Sequence, residues 1–300
     1  MKKTKILIIC GGGVHGAIPM HFLSMLDKTK QNLDGSSVLA GCSIGGILAA
    51  AIATRTRSFS ELDEVFQKRA CECFTKRFAA KINPLACPIY RDDTIEAVLH
   101  DMIGDMTFGE IKNVYPNLSV IIPALDLTRD QYIVFDNIRG KYDDVKLYDA
   151  ARFTSAAPSY FSGKEWRGRV ICDGGVIEVA PLLTTTTSIK KNFGIPFCNM
   201  SILMLDCGQD LDKHPLTPKS YNKLGMLGIA TEVLVPYVTL SNSMATKYWG
   251  DQMGYGYFNY FNPCIVDTPL DDVKSIPDDV AQTEKYRADF LQAWDEWMNS

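Results

Sequence analysis

The sequence predicts an α/β fold in which a mostly parallel central sheet is flanked by helices. The prediction rests on two stretches, residues 5–28 and 38–54, in which an apolar strand, a glycine-rich turn and a helix follow one another. A length of 300 residues fits one large α/β domain, and no internal repeat or low-complexity linker divides the chain. We therefore expect a single domain over residues 1–300.

The elements are expected in a regular order along the chain. Short apolar runs bounded by turn residues indicate strands at residues 5–10, 38–40, 118–125, 131–135, 170–172 and 200–205. Helices are indicated at residues 17–28, 44–54, 58–81, 92–100, 147–154, 221–248 and 283–298. The third of these opens with a capping box at Ser58 and Glu61. A loop rich in Pro and Asp is expected at residues 262–279.

Composition and charge exclude several classes of protein. Hydrophobic residues make up 46% of the chain and charged residues 22%, which excludes wholesale disorder and a fibrous protein. A net charge of -4 argues against a strongly basic nucleic-acid-binding protein, so we expect no nucleic-acid partner. The apolar run at residues 6–10 is shorter than a signal-peptide core, and no window approaches the roughly 18 apolar residues of a spanning helix.

The nine cysteines are odd in number and scattered along the chain. Such a set is typical of a reducing compartment, so we expect a cytoplasmic protein with, at most, peripheral contact at membranes. Cys71 and Cys73 lie too close together, and lack a second pair of ligands, for a zinc site. We therefore expect no metal.

The first glycine-rich turn is GGGVHG, at residues 11–16, between a predicted strand and a predicted helix. Glycine lets the backbone approach a ligand closely, and the free amides at a helix start point at negative charge. The ligand is then either a phosphate or the oxyanion of an acyl-transfer intermediate. The turn matches the dinucleotide pattern G-x-G-x-x-G, with Asp34 at about the right distance for a ribose contact. Taken alone, it fits both chemistries and a plain tight turn.

The second turn is GCSIG, at residues 41–45, again between a strand and a helix. This is the G-x-S-x-G pattern of a nucleophile elbow, in which flanking glycines allow a strained turn that presents the serine hydroxyl. The alternative is that Ser43 only caps the following helix. The glycines on both sides favour Ser43 as a nucleophile.

The third turn is Asp173-Gly174-Gly175, at the end of another predicted strand. An Asp at such a place often only forms an Asx-turn with its own backbone. However, a carboxylate at one strand end is well placed to reach a hydroxyl at another.

These three turns, in this order, resemble the patatin-like phospholipases. The stretch ARFTSAAPSYF at residues 151–161, followed by CDGGV at 172–176, is similar to the segment that leads to that family's catalytic Asp. The resemblance covers residues 5–181 and implies a patatin-like three-layer fold, which the C-terminal part completes.

The resemblance also implies a serine–aspartate dyad, with Ser43 as nucleophile and Asp173 as base. It places the oxyanion hole at the amides of Gly11, Gly12 and Gly13. Supporting positions in the three turns are Gly16, Gly41, Gly45, Gly174 and Gly175. The implied activity is a phospholipase A-type lipid acyl hydrolase, acting on phospholipid or another lipid ester through an acyl-serine intermediate, with no metal or organic cofactor.

Two positions depart from the family's pattern. His15 stands where the family usually has Arg or Lys, and a neutral imidazole at the oxyanion side would lend less positive charge. After the Asp-Gly-Gly turn the family commonly has an Asn-Pro pair, whereas here Pro181 remains and the Asn is missing. Neither change touches the dyad.

Two other functions compete with this interpretation. An α/β-hydrolase esterase would use His214, which follows Ser43 and Asp173 in the order Ser, Asp, His. However, that elbow usually follows several strands, and His214 lies in a polar loop. A non-catalytic dinucleotide-binding protein would explain the first turn and leave Ser43 and Asp173 without a role.

Two stretches suggest transient contact with a membrane surface. Residues 68–81 mix Lys and Arg with Phe74 and Phe78, which is typical of an interfacial segment or lid, unless both rings pack inward from a surface helix. Residues 248–261 are rich in aromatic side chains, which either line an acyl channel, sit at an interface or form ordinary core.

Overall fold

The computed structural model describes residues 3–26, 37–83, 87–208, 235–266 and 268–300, with side chains in the helix at 235–252 described from residue 244 onward. The strands are β1 Thr4–Ile9, β2 Ser37–Gly41, β3 Leu118–Asp126, β4 Gln131–Asp136, β5 Lys164–Trp166, β6 Arg169–Asp173, β7 Met200–Leu205 and β8 Tyr257–Phe261. The helices are α1 Ala17–Ser24, α2 Ile44–Thr54, α3 Phe59–Cys73, α4 Phe78–Ile82, α5 Asp92–Ile103, α6 Phe108–Val114, α7 Leu147–Thr154, α8 Leu182–Phe193, α9 Val235–Gln252, α10 Ile276–Thr283 and α11 Arg287–Asn299.

The strands form one sheet in the order β5-β6-β3-β2-β1-β7-β8, with β4 also paired to β3. The run from β3 through β2, β1 and β7 to β8 is parallel, whereas β4, β5 and β6 pair in antiparallel fashion. The expected mostly parallel sheet is therefore confirmed. The turns that follow β1, β2 and β6 lie close enough to share one site, as the contacts below show.

The sheet is covered on both faces, which explains why its central strand is apolar from Ile6 to Ile9. Along β1, Leu7 and Ile9 belong to one buried cluster, while Ile6 and Ile8 belong to the other. The first cluster includes side chains of α1, α2, α3, α5 and α7, and the second includes side chains of α8. A parallel strand buried on both sides cannot show the alternation of polar and apolar residues seen in half-exposed strands.

Several elements depart from the prediction because distant contacts decide them. The helix expected over residues 58–81 begins with the predicted capping box but ends at Cys73. The chain then pairs with residues 89–91, where Lys76 forms a β-bridge with Tyr90 and the Arg77 amide donates to the Ile89 carbonyl, 2.9 Å away. The elements β5, β8, α6 and α8 were not predicted, and α10 begins inside the expected loop at 262–279. Of the helix expected at 221–248, residues 221–234 lie outside the described part.

The C-terminal helix α11 packs one of its faces against the sheet. Trp294 and Trp297 are buried with their rings 5.0 Å apart, and the Trp297 Nε1 donates to the Ser201 carbonyl at 2.9 Å. The ammonium of the buried Lys5 donates to the Trp297 carbonyl and to the Ser300 carbonyl. A positive charge at this place stabilises α11, because the C-terminus of a helix carries a partial negative charge. The end of the chain is thus held to its first strand.

We expect Trp297→Ala to lower the free energy of unfolding by about 3–5 kcal/mol, because it leaves a cavity and removes the hydrogen bond from the indole to the Ser201 carbonyl. Denaturant titration measures the change. The matched control is Trp249→Ala, since Trp249 is 45% exposed on α9 and should cost about 1 kcal/mol or less. Equal losses for the two variants would contradict the anchoring role of α11.

Candidate active site

Ser43 lies on the sharp turn between β2 and α2, in a backbone conformation that few non-glycine residues adopt (φ 54°, ψ −126°). The glycines around it are required by close backbone contacts. A Cβ at Gly45 would lie 2.0 Å from the Ile9 carbonyl oxygen, and one at Gly41 would lie 2.1 Å from the Gly45 carbonyl oxygen. The tight turn therefore lifts the Ser43 hydroxyl out of the sheet, as the nucleophile-elbow pattern predicts.

The elbow is held by a side chain that the sequence analysis did not single out. The Ser43 amide donates to Thr154 Oγ1 at 3.0 Å, and the Thr154 hydroxyl donates onward to the Pro123 carbonyl at 2.6 Å. Thr154 is fully buried at the end of α7. Through it, the strained turn is tied to β3.

The structure brings together the two residues predicted as the dyad. Ser43 Oγ donates to Asp173 Oδ2 at 2.7 Å, across 130 residues of sequence. Asp173 ends β6 and is only 4% exposed, and its own amide donates to the Ala156 carbonyl at 3.1 Å. A serine hydroxyl in contact with a buried carboxylate is the arrangement that nucleophilic catalysis needs.

The second carboxylate oxygen of Asp173 is also occupied. Oδ1 accepts from the Gly175 amide at 2.7 Å and lies 3.7 Å from the Cys42 thiol, whose pKa is raised by burial so that it stays protonated. The Asx-turn and the dyad therefore coexist on one side chain. Burial raises the pKa of Asp173 to about 6, although the hydrogen bonds from Gly175, Ser43 and Cys42 oppose the shift.

Glu178 supports the loop that follows Asp173. Its carboxylate accepts from the Leu183 amide at 3.2 Å and from the Tyr132 hydroxyl at 3.1 Å, and burial raises its pKa. The loop is thereby joined to the start of α8 and to β4. This carboxylate gives the loop an anchor although the expected Asn is absent.

The three amides of the first glycine turn differ in their hydrogen bonding. The Gly11 amide donates to the Val179 carbonyl at 3.0 Å, so the expectation that Gly11 supplies an oxyanion donor is wrong. Within the described part of the chain, the amides of Gly12 and Gly13 have no hydrogen-bond partner, and both residues line a cavity beside Ser43. Gly13 has φ +60°, and a Cβ there would lie 2.2 Å from the Leu270 carbonyl oxygen.

His15 does not take the oxyanion-side position considered for it. It is buried, with Nδ1 3.0 Å from Asp279 Oδ2 and Nε2 3.0 Å from the Thr268 carbonyl oxygen. Both ring nitrogens are therefore bound to acceptors near and on α10. His15 ties the glycine turn to the C-terminal segment.

At the remaining glycines of the three turns, neighbouring atoms likewise leave little room for a Cβ. A Cβ at Gly16 would lie 2.2 Å from Ile44 Cγ1, and one at Gly174 would lie 2.7 Å from the Pro123 carbonyl oxygen. A Cβ at Gly175 would lie 3.0 Å from Asp173 Oδ1. Gly16 thus lets the first turn pack against the second, and Gly174 lets the third turn pack against β3.

The dyad opens into a cavity of about 390 Å³. Ser43, Asp173 and the glycine turn form its polar end. The rest of its wall is mostly apolar and is supplied mainly by α3, α5 and the segment 157–161, through Phe66, Phe74, Ile95, Val98, Leu99, Met102, Pro158, Tyr160 and Phe161. An apolar cavity with the Ser43 hydroxyl in its lining fits an acyl chain.

The other predicted features are placed as follows. Phe74 lines the cavity, whereas Phe78 is 79% exposed, so the two rings do not both pack inward. Of the aromatic stretch at 248–261, the part after residue 256 forms β8 and packs against the two cores. His214 and Asp34 lie outside the described residues.

No group of three His, Cys, Asp or Glu side chains within the described ranges is arranged to hold a metal ion. Among the helices in those ranges, none is both long enough and apolar enough to cross a membrane.

Comparison with known proteins gives relatives in bacteria and plants. A "cGAMP-activated phospholipase" of Escherichia coli (strain TW11681) is 28% identical over 244 residues, which are 74% of this chain and 66% of that protein. A "cGAMP-activated phospholipase" of Vibrio cholerae is 27% identical over 255 residues, covering 76% and 70%. Patatin-17 of Solanum cardiophyllum is 27% identical over 207 residues, covering 60% and 51%. The chain therefore spans about two thirds of the length of these bacterial relatives and about half of the plant one.

Among solved structures, VipD from Legionella pneumophila aligns with a TM-score of 0.49 at 13% identity, covering 99% of this chain and 67% of that one. A score of this size does not establish a relationship by itself. The family model does, because the model of the patatin-like phospholipases matches residues 7–185, more than half of the chain. The three glycine turns and the dyad all lie within those residues, and the chain belongs to the patatin-like phospholipase family.

Proposed function

We propose that this protein is a lipid acyl hydrolase of the phospholipase A type, with Ser43 as nucleophile and Asp173 as base. The observation that carries the proposal is the 2.7 Å hydrogen bond from Ser43 Oγ to Asp173 Oδ2 at the polar end of an apolar cavity. The family membership of the chain supports the same chemistry.

In the first half-reaction, Ser43 Oγ attacks the carbonyl carbon of a fatty acyl ester while its proton passes to Asp173 Oδ2. The oxyanion that forms is stabilised by the free amides of Gly12 and Gly13, with the positive N-terminus of α2 behind Ser43. The tetrahedral intermediate then collapses to an acyl-serine, and the leaving alcohol takes the proton from Asp173.

In the second half-reaction, water attacks the acyl-serine and gives its proton to the Asp173 carboxylate. The fatty acid leaves as the proton returns to Ser43 Oγ. A carboxylate with an ordinary pKa is a weak base for this step. Burial makes Asp173 a stronger one, because the raised pKa narrows the gap between the carboxyl and the hydroxyl it must deprotonate.

The cavity favours a long acyl chain as the group that is transferred. Its walls on α3 and α5 are apolar, and Ser43, Asp173 and the glycine turn supply polar atoms to its lining. Phospholipid is the substrate that the family membership favours. A dinucleotide would instead need polar partners along this cleft, whose apolar lining favours the hydrolase. The odd, scattered cysteines favour action in the cytoplasm, with contact at the membrane that supplies the lipid.

We expect Ser43→Ala and Asp173→Asn each to lower kcat/KM for fatty-acid release by at least about a thousandfold with the fold intact, because each removes one half of the dyad. Mass spectrometry of the products from mixed phospholipids and neutral glycerides measures this. The control is His214→Ala, which should keep full activity. An active Asp173→Asn enzyme would contradict the dyad.

The assay is run with and without cGAMP, because two relatives are named as cGAMP-activated phospholipases. An enzyme that needs an activator is then not mistaken for an inactive one. Labelling of Ser43 by a fluorophosphonate gives a second readout that does not depend on the lipid chosen.

The pH profile should follow the ionisation of Asp173. Only the carboxylate form can take a proton from Ser43, so kcat/KM on a soluble ester should rise with pH and level off above about 6. Below that value it should fall about tenfold per pH unit. A profile that is flat between about pH 5 and pH 8 would contradict Asp173 as the base.

The same buried charge should cost stability. The pKa of Asp173 is raised in the folded protein, so the charged carboxylate destabilises the fold fully above about pH 6. As the pH falls towards 4, the carboxylate is protonated and this loss of unfolding free energy disappears. We therefore expect Asp173→Asn to gain up to about 3 kcal/mol of unfolding free energy near pH 8 and less near pH 5. Thermal unfolding of both proteins at the two pH values tests this. A variant less stable than the wild type near pH 8 would contradict it.

A further inference from the structure

The two most exposed large apolar side chains in the described part of the chain lie on one short helix. Phe78 is 79% exposed and Ile82 is 73% exposed, at the first and last positions of α4. Residues four apart lie on the same face of a helix, so the two side chains form one apolar patch. Exposed apolar side chains that lie side by side are typical of an interaction surface.

The charges around these side chains are positive and unneutralised. Lys76 and Lys81 are exposed and form no ion pair with any described residue, while the nearby acids Glu72 and Asp92 are paired with Arg69 and Arg77. Apolar side chains flanked by free lysines suit a surface that is negatively charged on the outside and apolar beneath. We call Lys76, Phe78, Lys81 and Ile82 the α4 patch.

The residues next to the α4 patch are anchored to the wall of the cavity. The Arg77 guanidinium donates to the Tyr90 carbonyl at 2.7 Å and to Ser162 Oγ at 2.9 Å. Just before it, Phe74 lines the cavity and packs against Phe161, another lining residue, with the ring centroids 6.0 Å apart. A surface that binds the patch therefore comes to lie beside the cleft that leads to Ser43.

We propose that the α4 patch docks the protein on an anionic phospholipid surface, with Phe78 and Ile82 inserted among the acyl chains and Lys76 and Lys81 at the headgroups. The purpose of this contact, delivery of lipid to the cavity, rests on the proposed function. The contact itself does not, because it can be measured with a protein that cannot hydrolyse lipid.

Binding is measured by co-sedimentation of the Ser43→Ala protein with vesicles of phosphatidylcholine alone and with vesicles that also contain phosphatidylglycerol. We expect tighter binding to the anionic vesicles. Adding Phe78→Ser and Ile82→Ser should weaken it about tenfold or more, since two buried apolar groups are lost. Adding Lys76→Glu and Lys81→Glu should weaken it about fivefold or more per lysine, and added salt should mimic that loss.

The matched controls are Phe193→Ser and Lys191→Glu, which change an exposed Phe and an exposed Lys at the end of α8. They should bind vesicles as the parent protein does. In the protein with an intact Ser43, the α4 variants should lose hydrolysis of vesicle phospholipid while keeping kcat/KM on a soluble short-chain ester. Unchanged melting temperatures show that the fold is kept.

Vesicle binding that is equal in the α4 variants and the controls would overturn the docking proposal. So would no vesicle binding at all by a protein that hydrolyses the soluble ester, and that result would leave the proposed hydrolase standing. A dimer in analytical ultracentrifugation that the α4 variants dissociate, without vesicle binding, would make the patch a protein interface instead. Conversely, patch-dependent vesicle binding without hydrolysis of any ester would keep the docking and reject the hydrolase.

Discussion

The hydrogen bond between Ser43 and Asp173 depends on β3, the strand that separates the two residues in the sheet. β2, which leads to Ser43, pairs with the first half of β3, and β6, which ends at Asp173, pairs with its last residues. Between these two pairings lies Pro123, whose carbonyl accepts the Thr154 hydroxyl and lies close against Gly174. Pro123 thus fixes the position of both turns relative to β3. Because both turns are fixed to the same strand, Ser43 and Asp173 stay within hydrogen-bond distance although they are far apart in the sequence.

Two features of the site destabilise the fold, and packing elsewhere in the molecule offsets them. Ser43 adopts a backbone conformation that L-residues avoid, and Asp173 carries a carboxylate that burial disfavours. Neither would persist in an isolated turn. They persist here because α2 and α7 are packed into one large core and because the Ser43 amide is bound by the buried Thr154 hydroxyl. Packing elsewhere in the molecule thus offsets the cost of the strained turn and of the buried carboxylate.

The sequence predicted those features whose signals are local. The bounds of α2, α7 and β7, the capping box at Ser58 and the glycine turns all follow from neighbouring residues, and the structure has them. The break after Cys73 was missed because it depends on pairing with residues 89–91, and β8 was missed because its partner is β7 rather than a hairpin neighbour. The roles of Thr154 and Glu178 had no signal of their own, since a buried hydroxyl or carboxylate is identified only by its partners.

The glycine turn shows why a motif does not by itself assign its atoms. Three consecutive glycines offer three amides, but the Val179 carbonyl takes the first one and thereby joins the glycine turn to the loop after Asp173. His15, across 264 residues from Asp279, binds the same turn to α10. Both contacts come from segments far along the chain, and together they hold Gly12 and Gly13 in the lining of the cavity. Gly11 and His15 therefore position the glycine turn, because glycines have no side chains with which to hold it.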